Sequence, residues 1–201
     1  DSSLVEGAAS PVVGESTKPA ELDNFPIAFP VETSSHAAVG DVTGDGRQEI
    51  VLASDKLYVW DRDGQELFDG DNDSQTNGPI TDGTAEFGPA GVVLADIDFD
   101  GKMEIVASEV GDAERIHIYN AEDGSQLPGW PQTIMEWNWA TPAVGDIDGD
   151  DDLEIVVNTL NGRTYAWHHD GSEVRDGDGN PSTHGIFTIR SNEWWAYAAP
   201  L

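Results

Sequence analysis

An all-β fold is predicted for this chain from three observations. Short runs rich in apolar and β-branched residues alternate with turns rich in Gly, Asp and Pro, and three stretches of the sequence are nearly the same. No segment of twelve or more residues keeps a helical spacing of apolar side chains. Repeats of about 50 residues that each hold several short strands are typical of β-propeller blades. The sequence therefore predicts an all-β chain of propeller blades.

The three similar stretches share a short apolar run, an acidic loop and a β-branched run. They are AVGDVTGDGRQEIVLAS at 38–54, VLADIDFDGKMEIVASE at 93–109 and AVGDIDGDDDLEIVVNT at 143–159. The first aspartates of the loops are Asp41, Asp96 and Asp146, so the repeats are 55 and then 50 residues apart. Because β-branched residues favour strands, each stretch is expected to form two strands joined by the acidic loop.

A further strand and an Asp-Gly turn follow each acidic repeat. These strands are KLYVWD at 56–61, RIHIYN at 115–120 and RTYAWH at 163–168. A weaker fourth strand is expected at 126–131, where the sequence is QLPGWP. Residues 63–81 align without a gap on residues 170–188, an offset of 107. The first and third repeats therefore share a long loop after their third strand, and the second repeat lacks it. The predicted blades cover 36–68, 91–131 and 141–189.

The two ends of the chain are assigned separately. Residues 1–23 are rich in Ala, Ser, Pro and Gly and are predicted to be a linker or extended arm, before a propeller fragment at 24–201. The final EWWAYAAPL matches the EWNWATPAVG that precedes Asp146, so a further blade is expected to start at 194–201. Since propellers use four to eight blades, we predict an incomplete or multi-chain propeller, completed by blades from the same precursor or from another chain.

Composition excludes several classes of partner and site. Lys and Arg number 9 and Asp and Glu number 39, which gives a formal net charge of −30. This charge repels phosphate backbones and anionic lipids, so no nucleic acid partner is expected. No apolar run approaches the 18 residues of a spanning helix, so no membrane insertion is expected. With no cysteine, thiol catalysis, disulfides and zinc–thiolate sites are excluded.

The acidic loops have the ligand spacing of a metal site. Each runs over nine residues, with oxygen-bearing side chains at positions 1, 3, 5 and 9 and a backbone carbonyl at position 7. The predicted ligands are Asp41, Thr43, Asp45, Arg47 and Glu49 in the first loop, Asp96, Asp98, Asp100, Lys102 and Glu104 in the second, and Asp146, Asp148, Asp150, Asp152 and Glu154 in the third. Converging carboxylates need a cation, and an all-oxygen set suits Ca²⁺ rather than zinc or copper. We therefore expect about three Ca²⁺ sites.

The acidic loops have two other interpretations besides calcium binding. An EF-hand is excluded, because it needs Glu at position 12 and flanking helices, whereas here Glu falls at position 9 and a strand follows. The second alternative is a solvated acidic turn that binds no ion. The loop occurs three times at the same place in the repeat, which favours a metal site over this alternative. Gly46 and Gly101 occupy position 6, where a positive φ is expected, and Asp151 takes this position in the third loop.

Two further acidic segments lie outside the nine-residue loops. They are DGDND at 69–73, with Asp69, Asp71 and Asp73, and DGDGN at 176–180, with Asp176, Asp178 and Asn180. Ordinary polar turns and additional calcium sites are both open interpretations of these segments.

The loop pattern resembles that of the FG-GAP and VCBS repeats, which occur in integrin α-subunit heads and in many secreted bacterial proteins. The shared pattern is Asp-x-Asp-x-Asp-Gly-x-x-Glu followed by an aliphatic residue. It is complete at 96–105, whereas the first loop has Thr43 at position 3 and the third has Asp151 at position 6. The resemblance covers residues 24–201. It implies structural calcium, a secreted or extracellular, cell-surface-associated location, and a role in adhesion, ligand binding or structural assembly.

A ligand site is predicted at aromatic residues that precede the first strand of a blade. They are Trp137, Trp139, Trp194 and Trp195. Indole rings beside polar groups are typical of platforms that stack on sugars, so a carbohydrate or protein ligand is one interpretation, and packing between blades is the other. No Ser elbow, phosphate loop or zinc-ligand spacing occurs, so no catalytic residue is predicted. The alternative function is part of a polysaccharide-active enzyme such as a polysaccharide lyase.

Overall fold

The structure is a computed structural model that describes residues 35–68, 80, 85–111 and 114–189. Several predictions lie outside these residues: the arm at 1–23, the acidic turn at 69–73, Trp194 and Trp195, and the further blade at 194–201. The three acidic loops and the strands on both sides of each loop lie within them.

The described residues form twelve β-strands and no helix, so the all-β prediction is confirmed. The strands are β1 Ala38–Gly40, β2 Glu49–Ala53, β3 Leu57–Trp60, β4 Glu86–Phe87, β5 Val93–Ala95, β6 Glu104–Val110, β7 Arg115–Asn120, β8 Gln132–Thr133, β9 Ala143–Gly145, β10 Glu154–Asn158, β11 Arg163–His168 and β12 Ile186–Ile189. No membrane-crossing helix is found in the part of the chain that the structure describes.

Each sequence repeat forms one antiparallel sheet. The first sheet has the order β1-β2-β3, and the third has the order β12-β11-β10-β9. In the second sheet β4 and β5 both pair with β6, which is followed by β7 and β8. The strands that precede the acidic loops lie side by side, because β5 contacts both β1 and β9. The register is also repeated, since the last residue before each loop pairs with the glutamate that ends it: Gly40 with Glu49, Ala95 with Glu104, and Gly145 with Glu154.

The outer strands follow the sequence prediction in part. Isolated bridges join Trp60 to Glu66 and Trp167 to Glu173, two pairs related by the offset of 107 that aligned the first and third repeats. In the second sheet the outer strand is β8 rather than 126–131, where Gln126 makes a single bridge. The QLPGWP segment contains two prolines, which have no N–H for a strand ladder, and this moves the pairing to the residues that follow.

Two hydrophobic clusters lie between successive sheets. One joins the first and second sheets, with fully buried Val51 and Leu57 packed against Ile105. The other joins the second and third sheets, where Trp167 stacks on Tyr165 and meets the edge of Trp130. Neighbouring residues of β6 point to opposite faces of its sheet, so this strand supplies both clusters. The second sheet is therefore packed on both faces.

Candidate metal centre

The three acidic loops occupy equivalent places in their sheets. Each starts directly after the short first strand and ends at a glutamate that begins the second strand. Because the register of these two strands is the same in all three sheets, each loop must cross the same gap in the same number of residues. The nine-residue pattern therefore spans the same gap between two strands three times.

The glutamate at position 9 is buried in every loop. Glu49, Glu104 and Glu154 have at most 2% of their surface exposed. One carboxylate oxygen, Oε2, accepts the backbone N–H at position 2 of the same loop, at 2.9, 2.6 and 2.7 Å in the three loops. Each bond ties the end of a loop to its beginning. The backbone N–H is a neutral donor, so a nearby cation would further stabilise the charge of the buried carboxylate.

In the first two loops, the hydrogen bonds of the aspartate at position 1 show whether the loop has an oxygen left to bind a cation. Oδ2 of Asp41 accepts the N–H of Gly46 at 2.8 Å, and Oδ2 of Asp96 accepts the N–H of Gly101 at 3.1 Å. In both residues the other oxygen, Oδ1, is buried and has no hydrogen-bond partner among the described residues. Buried polar atoms almost always have a partner, and a carboxylate oxygen without a donor is suited to a metal ion.

The second loop brings three of its acids close together. One oxygen each from Asp96, Asp98 and Glu104 lies within 4.8 Å of the others. Burial raises the pKa of Glu104 to about 7, against the lowering effect of its bond from Ile97, and the charge of Asp98 raises it further. The folded chain thus disfavours the charged carboxylate when no cation is present. All these donors are oxygens, so the predicted set, Asp96, Asp98, Asp100, Glu104 and the Lys102 carbonyl, fits Ca²⁺.

The first loop has the same hydrogen bonds and a less acidic donor set. Thr43 takes position 3, so Asp41, Asp45 and Glu49 are its carboxylates. Asp45 Oδ1 accepts the N–H of Arg47 at 2.8 Å, which turns the chain at the carbonyl predicted as a ligand. The unpartnered Oδ1 of Asp41 is the observation that makes this loop fit a cation. With one negative charge fewer than the second loop, it is expected to bind calcium more weakly.

The third loop differs from the other two in which of its aspartate oxygens accept hydrogen bonds. Both oxygens of Asp146 are engaged by backbone N–H groups, Oδ1 by Gly149 at 2.6 Å and Oδ2 by Asp151 at 3.3 Å. The orphaned oxygen is instead Oδ1 of Asp152, a residue that the sequence predicted to contribute only its carbonyl. Asp146, Asp148 and Asp150 still approach within 4.8 Å through one oxygen each.

His168 lies beside the third loop and was absent from the predicted ligand set. Its Nδ1 is 3.2 Å from Glu154 Oε1, and its Nε2 is 4.0 Å from Asp148 Oδ2. Burial lowers the pKa of His168, but the hydrogen bond to Glu154 and the surrounding carboxylates together raise it above the ordinary value. Burial also raises the pKa of Glu154. His168 pairs with Glu154 across the strands, so the pairing register was the signal that could have found it.

The backbone of the loops confirms the glycine prediction and extends it. Gly46 and Gly101 have φ of 85° and 91°, and Asp151 takes 74° at the same position. Position 4 is also left-handed, with Gly44 at 72° and Gly149 at 85°. In the second loop this position holds Phe99, at 59°. A bulky residue there is strained, and the nine-residue pattern gave no reason to expect it.

The segment at 176–180 has its acids occupied by donors of its own turn. Asp176 Oδ1 accepts the N–H of Gly179 at 2.6 Å, and Asp178 Oδ2 accepts the hydroxyl of Thr183 at 2.8 Å. The bond from Thr183 is the main cause that lowers the pKa of Asp178. These contacts are those of a polar turn.

The two described tryptophans of the predicted ligand site are partly exposed and stacked on each other. Trp137 and Trp139 are 46% and 38% exposed, with ring centroids 5.9 Å apart and planes 24° apart. Between them Asn138 is fully buried, donates to Ser108 Oγ at 3.1 Å and accepts the N–H of Ala140 at 2.7 Å. The buried amide anchors the segment while both indoles keep an exposed surface.

A buried acid–histidine–tyrosine network was also missed by sequence reasoning. His117 Nε2 lies 2.9 Å from Glu109 Oε2, and Nδ1 lies 2.9 Å from the hydroxyl of Tyr119. Burial, with the charge of Glu109 as a second cause, raises the pKa of Tyr119 to about 12. Phe87 covers His117 edge-on. These groups satisfy one another inside the second sheet.

One comparison with known proteins agrees with the loop pattern. A family model described as an FG-GAP-like repeat matches residues 41–107, from the first residue of the first loop to the strand after the second loop. No curated protein matches the chain. Among solved structures, BBS1N in complex with ARL6DN, soaked with lead, is 15% identical, with a TM-score of 0.49 over 86% of this chain and 49% of that one.

A second solved structure gives a similar result. BBS1N in complex with ARL6DN, soaked with mercury, is 17% identical, with a TM-score of 0.42 over 72% of this chain and 45% of that one. The chain thus spans about half the length of the solved chains it matches. Over residues 41–107, about a third of the chain, the sequence matches an FG-GAP-like repeat, as its acidic loops predicted.

Proposed function

We propose that this chain is a calcium-binding β-propeller module of an extracellular, cell-surface-associated protein, which serves ligand binding, adhesion or structural assembly. The observation that carries the calcium site is the buried Oδ1 of Asp41 and Asp96, which has no hydrogen-bond partner among the described residues. The same orphaned atom at the same position in two loops is the arrangement that a cation would complete. Bound ions would hold the first two strands of each sheet together at the loop.

Three features of the fold support the propeller part of the proposal. The sheets repeat one register around the acidic loop, their first strands lie next to one another, and successive sheets pack face to face through the two hydrophobic clusters. Blades that stack face to face, with their first strands around a common axis, have these three properties.

Calcium titration of the purified chain tests this proposal. Asp96→Asn removes the charge beside the orphaned oxygen while it keeps the size of the side chain, so calorimetry is expected to show the loss of about one calcium equivalent, or an affinity at least about tenfold weaker. The matched control is Asp123→Asn, an exposed acid in an Asp-Gly turn, which is expected to leave the titration unchanged. A wild-type chain that binds no calcium at millimolar concentration would contradict the proposal, as would equal titrations of the two variants.

We further propose that another blade, from the same precursor or from another chain, packs on the third sheet. At position 2 of the first two loops, Val42 and Ile97 are fully buried, whereas Ile147 in the third loop is 48% exposed. A Cβ at Gly40 would meet Leu94 of the next sheet at 2.9 Å, whereas one at Gly145 would meet nothing within 4 Å. The third loop therefore shows the apolar surface that the next sheet covers in the other two.

Serine substitutions at position 2 test this assembly. Ile97→Ser is expected to destabilise the chain by about 3 kcal/mol, because it leaves a cavity and a buried hydroxyl. Ile147→Ser is expected to change the melting temperature of this chain by less than about 2 °C, and to lower it clearly in a precursor that carries further blades. Equal destabilisation of this chain by both variants would contradict the proposal.

A carbohydrate ligand is a second candidate function, favoured by the exposed and stacked indoles of Trp137 and Trp139. Such a surface can stack on the apolar face of a sugar ring. Glycan-array binding is expected to be lost in Trp137→Ala and Trp139→Ala and kept in Met135→Ala, which removes a neighbouring side chain that is 55% exposed. An array without signal, or equal binding by all three variants, would rule out this role for the pair.

A further inference from the structure

The face of the first sheet that points away from the second sheet carries a buried aromatic pair. Leu57 and Val59 belong to the cluster between these two sheets. Tyr58 and Trp60 alternate with them along β3, so their side chains point to the opposite face, called the outer face below. Their rings stack with centroids 5.6 Å apart, and they are 3% and 5% exposed. Since the second sheet lies on the other side, another part of the chain covers this pair.

The third sheet shows how an equivalent pair is covered. The sequence offset of 107 places Tyr165 and Trp167 at the positions of the pair in the first sheet. These two rings stack with centroids 5.4 Å apart on the face towards the second sheet. The edge of Trp130, from the outer part of the second sheet, meets Trp167 at 5.9 Å, and its Nε1 donates to the carbonyl of His169 at 2.8 Å. An aromatic side chain of the preceding sheet therefore covers the pair.

The Asp-Gly turns beside these strands give the same result. Gly171 is buried, and a Cβ there would meet the carbonyl oxygen of Gly129 in the second sheet at 2.5 Å. At the turn of the second sheet, a Cβ on Gly124 would meet the carbonyl oxygen of Ile80 in the first repeat at 2.7 Å. The outer segment of the preceding repeat thus lies against both turns. Gly64 is the equivalent residue of the first sheet, and it is also buried.

One segment of this chain matches the sequence that covers the third sheet. The covering segment is LPGWPQT at 127–133, and residues 25–31 are FPIAFPV. Both have an apolar residue and Pro followed by an aromatic residue and Pro, with one additional residue between the prolines in 25–31. These are the only two places in the sequence where prolines lie three or four residues apart. Both precede an acidic loop by fewer than 20 residues, so they hold similar places in their repeats.

The composition of the segment suits an apolar face. Residues 24–31 contain no charged side chain, although the whole chain has 9 basic and 39 acidic residues. Phe25, Ile27, Phe29 and Val31 alternate with the other residues, so in an extended segment they lie on one side. Prolines have no N–H to donate, which suits the outermost position of a sheet.

We propose that residues 24–31, which lie outside the described residues, dock on the outer face of the first sheet, with Phe29 against Trp60 as Trp130 is against Trp167. This inference rests on the proposed propeller architecture, because it treats the first sheet as a blade with a neighbour on its outer face. The first sheet is then covered by a segment of its own chain, whereas the third sheet is the one that receives another blade.

Alanine substitutions in the full chain test the docking. Phe29→Ala is expected to lower the melting temperature by about 6 °C or more, because it leaves a cavity beside Trp60. The matched control is Val12→Ala, an apolar truncation in the predicted arm, which is expected to change the melting temperature by less than about 2 °C. Equal melting temperatures of the two variants would overturn the docking.

A nitroxide label reports the contact independently of stability. Because the chain has no cysteine, Glu32→Cys and Ser10→Cys each provide a single labelling site. The label at position 32 is expected to broaden the indole N–H signal of Trp60, which is identified by its absence from the spectrum of Trp60→Phe. The label at position 10 is expected to leave this signal sharp. A sharp signal with both labels, or equal broadening by both, would overturn the docking of residues 24–31.

Mixed samples distinguish this docking from contact with a second copy. Chains that carry the label at position 32 without ¹⁵N are mixed with unlabelled ¹⁵N chains, and the Trp60 signal is expected to stay sharp. Broadening in the mixture would show that the segment covers a second copy, and would overturn docking within the chain. These outcomes leave the calcium titration unaffected. Broadening by the label at position 32 in a chain that binds no calcium would support the docking and overturn the calcium proposal alone.

Discussion

Removal of calcium is expected to lower the melting temperature of the chain by about 10 °C or more. An ion at 100 to 1,000 times its dissociation constant stabilises the folded state by roughly 3–4 kcal/mol per site. For a chain of this size each kcal/mol corresponds to about 2–4 °C, so the two loops with orphaned aspartate oxygens account for a shift of this size. Thermal unfolding followed by circular dichroism, with calcium and then with excess chelator, measures it.

The control for this experiment is a chain whose first two loops are disabled. The double variant Asp41→Asn, Asp96→Asn is expected to have the low melting temperature of the calcium-free wild type, with or without calcium. The reason is that it lacks the two carboxylates that bind the ion. Addition of calcium to the chelated wild type is expected to restore the higher melting temperature. Identical melting curves of the wild type in calcium and in chelator would contradict the calcium account.

The calcium-free chain is expected to become more stable as the pH falls from 8 to 5, which is opposite to the behaviour of a folded protein with paired carboxylates. The pKa of Glu104 is about 7 in the folded chain and 4.5 ordinarily, so between these values the folded state takes up a proton more readily than the unfolded state. Stability is therefore lowest above pH 7 and rises as Glu104 is protonated, by at most about 3 kcal/mol. The raised pKa values of Glu154 and His168 act in the same direction.

Urea unfolding at a series of pH values, in chelator and in calcium, measures this dependence. Glu104→Gln is expected to flatten most of it, because glutamine mimics the protonated acid and still accepts the N–H of Ile97. In calcium the trend is expected to reverse, since protons compete with the ion for the same oxygens. If the free energy of unfolding of the calcium-free wild type falls steadily from pH 8 to 5, the negative charge of Glu104 is already stabilised without an ion.

The features predicted correctly from the sequence are those that depend only on residues close to one another along the chain. The repeated acidic loops and their positive φ at Gly46 and Gly101 were both predicted from spacing and residue type. Such features depend on neighbours a few residues apart. The fold class followed for the same reason, since alternation and turn residues recur within each repeat.

The features that the sequence did not reveal depend on pairing between distant segments. His168 joins the third loop only because β11 aligns it with Glu154, and a one-residue change of register would place it on the other face. Spacing also did not reveal that backbone N–H groups occupy both oxygens of Asp146, or that Oδ1 of Asp152 has no partner among the described residues. The positive φ of Phe99 was missed because the known pattern fixes glycine at position 6 only.

Anomalous diffraction from crystals grown in calcium tests the central claim most directly. A strong anomalous peak is expected within bonding distance of Asp96, Asp98, Asp100 and Glu104, and a second peak is expected at Asp41, Asp45 and Glu49. Oδ1 of Asp96 and Oδ1 of Asp41 are each expected to bind the ion. Loops that hold only water under millimolar calcium, with these oxygens hydrogen-bonded to solvent, would show that the recurring carboxylates are solvated turns.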